Sequence, residues 1–331
     1  MPENLRFCFN IENFQDSFLE NKTNCLPFTR SDAICTSDNI RQQFNIITAY
    51  LDASNVYGSD PDRADKLRTK SGGKMKTHYL GPTLPAQHQC ELDVDAESSD
   101  DLVAGDLRAI EQPGLASLHS LFLMEHNRIA EDLKQNVPDL TDEEVYQVAR
   151  TIVGAELQNI VYSEFLPIVL GKTTMETFGL TLPEDKGEDT AYQPSVDATV
   201  SNEFATVAFR FGHSLIPNQL LPTPDPIRGD NHCPLKENFF EFEEFVLGTD
   251  LSGKAWQNMV QGLSAQQSPA MDATMENTVL DFLFCNRTDN CHLPGRFKED
   301  LAARNIQRGR DHGVPSFVKF REFCKLSIRT S

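Results

Sequence analysis

Between Leu115 and Leu133 the apolar residues Leu118, Leu121, Phe122, Ile129 and Leu133 recur at helical spacing, with Pro113 ahead where a first turn tolerates it. A second helix is predicted from Thr141, where Thr141 and Glu144 read as a capping box. It runs through Val145, Ile152, Val153, Leu157, Ile160 and Val161 to a stop near Gly171. A third spans about Asn202 to Leu215. Its apolar residues (Phe204, Val207, Phe209, Phe211, Leu215) lie nearly all round, which predicts a helix buried inside the domain. Further helix is expected around 237–247, 255–265, 269–284 and 315–325. Residues 1–45 read as irregular, 217–235 as a loop, and the sequence from Gly58 to about residue 104 is polar with interspersed Gly and Pro. Strand patterns are confined to short pieces and no internal repeat is evident, so the class is mainly α.

The 331 residues suffice for one large domain or two ordinary ones. A net charge of −19, from 49 acids against 30 bases, disfavours nucleic acid and anionic membrane surfaces as partners. No apolar run approaches the roughly 18 residues of a membrane span. Eight cysteines occur, none in a Cys-x-x-Cys pair, which argues against a zinc ribbon or thioredoxin-type site. The spacings Cys25 to Cys35 and Cys285 to Cys291 suit small disulfide loops. Two glycosylation sequons, at Asn21 and Asn286, accompany them, and the combination points to a secretory compartment. Yet the start, Met1-Pro-Glu-Asn-Leu-Arg-Phe, lacks the basic and apolar segments of a signal peptide. Either the protein is not secreted or the natural chain begins elsewhere.

Four segments could carry chemistry. Thr48, Tyr50, Asp52 and Ser54 alternate with a period of two, and in an extended segment their oxygens would converge on one side. That donor set suits calcium better than zinc; the alternative is a strand or turn with polar residues facing water. Arg108 and Glu111, three apart, are either a surface ion pair or a cation and a carboxylate in one pocket. In Phe209-Arg-Phe-Gly-His213, Gly212 would let a flat cofactor approach the backbone, and Arg210 needs an anionic partner such as a propionate. A satisfied core histidine is the competing account of His213. Finally, Arg304-Asn-Ile-Gln-Arg-Gly-Arg-Asp-His-Gly-Val-Pro315 concentrates arginines in an acidic chain, and by itself reads as a solvated, charged loop ending a helix.

Together these segments resemble the animal haem peroxidase family. The resemblance also rests on Cys25-Leu-Pro-Phe-Thr-Arg-Ser-Asp-Ala-Ile-Cys35, Thr48-Ala-Tyr-Leu-Asp-Ala-Ser-Asn-Val-Tyr-Gly58, Ala104-Gly-Asp-Leu-Arg108, Leu118-His-Ser-Leu-Phe-Leu-Met-Glu-His-Asn-Arg128 and Tyr162-Ser-Glu-Phe-Leu-Pro-Ile-Val-Leu-Gly171. It covers nearly the whole chain and implies a mainly α peroxidase-type domain over residues 1–331, truncated at both ends. Residues 1–104 would form the disulfide and calcium-loop region, and 105–331 the helical haem-binding region. The resemblance implies haem b with His213 as the axial iron ligand and Asn305 on the far imidazole nitrogen. It implies Arg108 as the distal arginine that polarises hydrogen peroxide, Glu111 as an ester link to a haem methyl, and Arg210 and Arg308 as further cofactor-side residues. Thr48, Tyr50 (through its carbonyl), Asp52 and Ser54 match calcium ligands. The implied reaction is oxidation of a halide, thiocyanate or phenolic donor by hydrogen peroxide, in an extracellular or secretory setting.

Two departures qualify that expectation. Gln112 stands where a family member carries a haem-bonded methionine, and the family's distal Asp-His-Asp-like segment is absent from this sequence. His78, His88, His119, His126, His232, His292 and His312 show no pattern that would replace its histidine. The sequence also stops soon after the Arg-Asp-His-Gly motif, so Cys324 is expected to lack its partner and the chain reads as a fragment. Two alternatives follow: a catalytically impaired protein that binds haem and calcium, and a disulfide-linked extracellular glycoprotein without a cofactor.

Overall fold

The computed structural model describes residues 9–12, 25–35, 40–90, 101–182, 194–223, 232–250, 252–291 and 298–327. Six strands of two or three residues form antiparallel pairs: β1 (Ile11–Glu12) with β2 (Cys25–Leu26), β3 (Ala33–Cys35) with β4 (Arg41–Gln43), and β5 (Gln219–Leu220) with β6 (Cys233–Pro234). The rest of the regular structure is helical: α1 (Ser54–Tyr57), α2 (Pro61–Lys66), α3 (Pro113–Asn136), α4 (Asp142–Ile160), α5 (Leu166–Leu170), α6 (Lys172–Thr177), α7 (Asn202–Thr206), α8 (Ala255–Ala265), α9 (Asn277–Leu280), α10 (Leu301–Asp311) and α11 (Phe317–Phe323). The mainly α class expected from the pattern is observed.

The central element is α3. Gln112 caps it by accepting from the Gly114 amide at 2.7 Å, and Pro113 occupies the first turn. Its buried face (Ala116, Ser120, Leu123, Asn127, Ala130) steps by three or four residues and packs against α4 and α8. The capping box of α4 forms as expected, with Glu144 N donating to Thr141 Oγ1 at 3.3 Å and Thr141 N to Glu144 Oε2 at 2.8 Å. Val145, Ala149 and Val153 then face the core. The helix passes through a π-helical turn at Val161–Phe165 into α5, and stops at Gly171, whose φ of 78° only glycine adopts without strain.

Three helix expectations need correction. Over 269–284 only α9 is helical; the Asp272 carboxylate accepts from Thr274 N at 2.7 Å, a local turn that competes with helix. Over 237–247 Phe240 sits at φ 60°, which breaks the run and leaves a single π-helical turn at Glu243–Leu247. The third helix is neither continuous nor buried. It breaks at Val207 into the 3₁₀ segment Ala208–Leu215, and the Arg210 side chain donates to the Thr206 carbonyl across the break at 2.6 Å. Phe204, Val207 and Phe209 are 48%, 46% and 56% exposed, so the apolar surface that predicted burial lies open among the described residues. Asn21 and His292 lie outside the described residues, as does the side chain of Cys35, and with it the expected Cys25–Cys35 loop. Cys285 and Cys291 are joined as expected.

Candidate functional site

His213 and Asn305, far apart in sequence, meet where α10 packs beside α7. Asn305 Nδ2 lies 2.8 Å from His213 Nδ1. Arg210 donates to Asn305 Oδ1 at 2.8 Å; because a guanidinium only donates, the amide oxygen must face Arg210 and its NH2 must face His213. The other ring nitrogen of His213, Nε2, makes no hydrogen bond among the described residues. Burial first, then the charge of Arg210, holds the His213 imidazole below its ordinary pKa, which favours the neutral ring; with Nδ1 accepting from Asn305, its one proton sits on Nε2.

Arg210 is half-buried, and its bonds go to two neutral oxygens, Thr206 O and Asn305 Oδ1. Burial, then the charges of Arg308 and Arg108, pushes its guanidinium below the usual value. No carboxylate pairs with it among the described residues. At Gly212 an added Cβ would meet nothing, so protein packing does not account for the glycine.

Arg108 reaches this neighbourhood from a 3₁₀ turn, Leu107–Ile110, stitched to α1 by Gly105 N to Val56 O at 3.0 Å and Asp106 N to Asn55 O at 2.9 Å. Gly105 permits that approach: a Cβ there would stand 2.2 Å from the Gly58 nitrogen. The expected choice between surface pair and pocket resolves differently. Arg108 pairs with Asp106, not Glu111, through Nε–Oδ1 at 2.9 Å and Nη2–Oδ2 at 2.6 Å, and its side chain is 65% exposed. Glu111 is half-buried, and burial raises its carboxyl pKa against the lowering influence of Arg108.

The Thr48–Ser54 segment is bent rather than extended, which corrects the period-two picture while still gathering its oxygens. Thr48 Oγ1 lies 3.3 Å from Tyr50 O and 3.1 Å from Asp52 Oδ2, and Asp52 Oδ1 accepts from Ser54 N at 3.0 Å. Ser54 is buried at the start of α1.

The arginine-rich run is not a solvated loop. It forms α10, with Gln307 and Asp311 buried. Asp311 accepts from Arg30 Nε at 2.5 Å, Ser31 N at 2.8 Å and Arg308 Nη1 at 3.1 Å; burial alone would raise its pKa, but these donors hold it below the carboxylate range. Arg308, expected on the cofactor side, also donates to Thr29 O at 3.0 Å and lies 4.2 Å over the Phe28 ring, so its charge serves this clamp. Nothing local to Arg30 or Ser31 marked them as partners of residues near 310.

Three other histidines are fully engaged. His119 contacts Leu115 O at 2.7 Å and Asn55 Nδ2 at 3.2 Å. His126 contacts Tyr57 Oη and Gly73 O, each at 2.8 Å. His312 contacts Ser31 Oγ at 2.8 Å on one nitrogen, and Asn202 Oδ1 at 2.7 Å and Thr206 Oγ1 at 2.9 Å on the other.

The family described as animal haem peroxidase matches residues 1–331. Peroxidasin homolog pxn-2 of Caenorhabditis elegans is 35% identical over 355 residues, covering 98% of this chain and 25% of that protein. Myeloperoxidase of Mus musculus is 35% identical over 333 residues, covering 94% of this chain and 43% of that protein. Among solved structures, peroxidase A of Dictyostelium discoideum superposes with a TM-score of 0.77 at 28% identity, covering 98% of this chain and 62% of that one. The chain thus spans about a quarter of the first of these curated relatives and under half of the second.

Proposed function

This chain belongs to the animal haem peroxidase family, and we propose that its described residues supply the proximal half of a haem b site with His213 Nε2 as the axial ligand. The observation that carries this reading is a neutral histidine with Nδ1 engaged by Asn305 and Nε2 left without a partner. The surroundings fit the group. Arg210 offers a half-buried cation without a carboxylate, suited to a propionate; Gly212 leaves open space; Phe209 presents an exposed ring one turn from His213. When bound, haem would supply the redox chemistry that couples hydrogen peroxide to an electron donor.

A metal on Nε2 requires the ring proton on Nδ1, so Asn305 would turn its oxygen toward His213 and give up the Arg210 contact. That frees the guanidinium for an anion. Arg108 would place positive charge near peroxide oxygen, leaving Asp106 to do so. Glu111, its carboxyl biased toward the protonated form by burial, is our candidate for an ester to a haem methyl. The oxygens of Thr48, Tyr50, Asp52 and Ser54 are proposed to hold calcium, their clustering and hardness being the support.

For the whole protein we infer oxidation of a halide, thiocyanate or phenolic donor in the secretory or extracellular space. The Cys285–Cys291 disulfide and the Asn286 sequon inside its loop support that location. No helix of the described residues is long and apolar enough to cross a membrane. The second reading, a haem- and calcium-binding protein with weak turnover, is favoured for this chain alone. It contains no Asp-His-Asp segment, and His119, His126 and His312 have both nitrogens engaged. Proton shuttling contributes ~10²–10⁴-fold to such reactions. Haem titration followed by absorption tests the central assignment: the wild type should show a ligated-haem spectrum that His213→Ala loses. An unchanged spectrum in the variant sinks it. Guaiacol oxidation by this chain should be negligible; strong, Arg108-dependent turnover would favour the full peroxidase reading.

A further inference from the structure

We propose that the Asn286 side chain carries an N-linked glycan whose first sugar packs on the aromatic pair Phe240 and Phe284. The proposal rests on the secretory location inferred above and is independent of the haem site. Asn286 opens the sequence Asn286-Arg287-Thr288 and directly follows Cys285, so it sits at the neck of the Cys285–Cys291 loop. Such a tripeptide is weak support alone. The state of its amide and the rings beside it strengthen the case.

The Asn286 side-chain oxygen accepts from Thr288 N at 3.1 Å, Thr288 Oγ1 at 2.7 Å and Asp289 N at 3.2 Å. Backbone N–H groups only donate, so the atom facing them is the oxygen and the amide nitrogen faces elsewhere. Nδ2 makes no hydrogen bond among the described residues and is not closed off from solvent. Arg287, Thr288 and Asn290 around it are exposed, so the finished fold has room for a chain of sugars leaving from this atom. In the linkage step Nδ2 bonds to the anomeric carbon of an oligosaccharide held on a lipid diphosphate. The C–O bond to that diphosphate breaks, the diphosphate leaves with the electron pair, and the amide gives up one proton. The modified amide keeps its oxygen, so the turn it caps is retained.

The aromatic neighbours suggest where the first sugar goes. Phe284 stands two residues before Asn286, and its ring lies 5.7 Å from that of Phe240 and 6.0 Å from that of Phe239. Asn238 bridges Asn286 in antiparallel fashion and Phe239 N donates to Cys285 O at 3.2 Å, so the two segments run side by side. Phe239 is buried and Phe284 partly so, but Phe240 is 45% exposed. Phe240 and Phe284 hold φ of 60° and 63°, which bulky residues avoid, and such strain often marks a functional surface. One face of a sugar ring presents C–H groups of slight positive charge, which the negative face of an aromatic ring attracts. Packing there would also take part of Phe240 out of water.

Protein purified from its native source and treated with peptide N-glycosidase F in heavy-oxygen water tests the site: Asn286 should be recovered as labelled aspartate. Unlabelled Asn286 overturns the proposal. Label at position 21, or an intact Cys285–Cys291 bond, would then show that the site alone had failed; absence of both would sink the secretory location as well. Thermal melts test the packing. Trimming the glycan to its first sugar should leave the melting temperature unchanged, and full removal should lower it by ~2 °C. The cap survives that removal because an aspartate accepts the same bonds. Phe240→Leu, which keeps apolar bulk and loses the ring, should lower the melting temperature of the glycoprotein more than that of the deglycosylated form. Equal shifts in the two forms, or a loss already complete on trimming, overturn the packing.

Discussion

His126 and His213 differ in what each leaves for a ligand. His126 is fully buried: Gly73 O can only accept, so Nε2 donates to it, and Nδ1 then accepts from the Tyr57 hydroxyl. Tyr57 and Tyr146 meet its ring edge-on, at centroid separations of 5.3 and 5.4 Å. Both nitrogens belong to the fold. His213 is half-buried, gives one nitrogen to Asn305 and keeps the other without a partner. Both occur in segments that carry the family resemblance, so the residue type alone does not separate a packing histidine from a ligand. The tally of engaged nitrogens does.

The largest expected effect tests that contrast directly. His126→Ala orphans the Tyr57 hydroxyl and Gly73 carbonyl and opens a cavity, and should cost about 3–5 kcal/mol in urea unfolding. His213→Ala should cost under ~1 kcal/mol, since Asn305 retains Arg210. Equal costs would erase the distinction. Haem titration should reverse the ranking, with His126→Ala keeping the ligated spectrum under conditions where it folds.

Acidity gives the next effect. Burial lowers the His126 pKa from 6.5 to about 4. The unfolded state therefore binds the proton more readily, and the stabilisation is complete above pH 6.5 and lost as pH falls toward about 4. At ~1.4 kcal/mol per pKa unit the loss amounts to roughly 3 kcal/mol. His126→Gln should flatten this part of the stability–pH curve; a curve of unchanged slope would place the proton elsewhere. Asn305→Ala should weaken haem binding by ~10–100-fold with little change in unfolding free energy. Thr141→Ala, far from both rings, should cost ~1 kcal/mol of stability and leave haem affinity as it was.

Local rules made part of this legible beforehand. The capping box at Thr141, the proline at the start of α3 and the stop at Gly171 depend on residues within a turn or two of each other, and all three formed. The segment around His213 misled, because apolar residues all round a helix predict burial only if protein covers them. Its break at Val207 is spanned by a side-chain bond, Arg210 to Thr206 O, that periodicity does not encode. The family resemblance supplied the pairing of His213 with Asn305. Neither periodicity nor resemblance gave the partners of Arg68 or Asp311, whose bonds join segments distant along the chain.

The Asp311 clamp has a consequence for the order of folding. Arg30 and Asp311 are separated by 281 positions, so one end of this contact exists long before the other. At synthesis rates of about 5–20 residues per second, the segment 28–31 waits on the order of 15–55 s for its counterpart. During that interval Arg30 lacks Asp311 and Phe28, 2% exposed in the finished structure, lacks its cover from Arg308. Closing so large a loop comes late and is entropically costly. Strands β1 and β2 should therefore be among the last parts to become protease-resistant, although they are made long before α10.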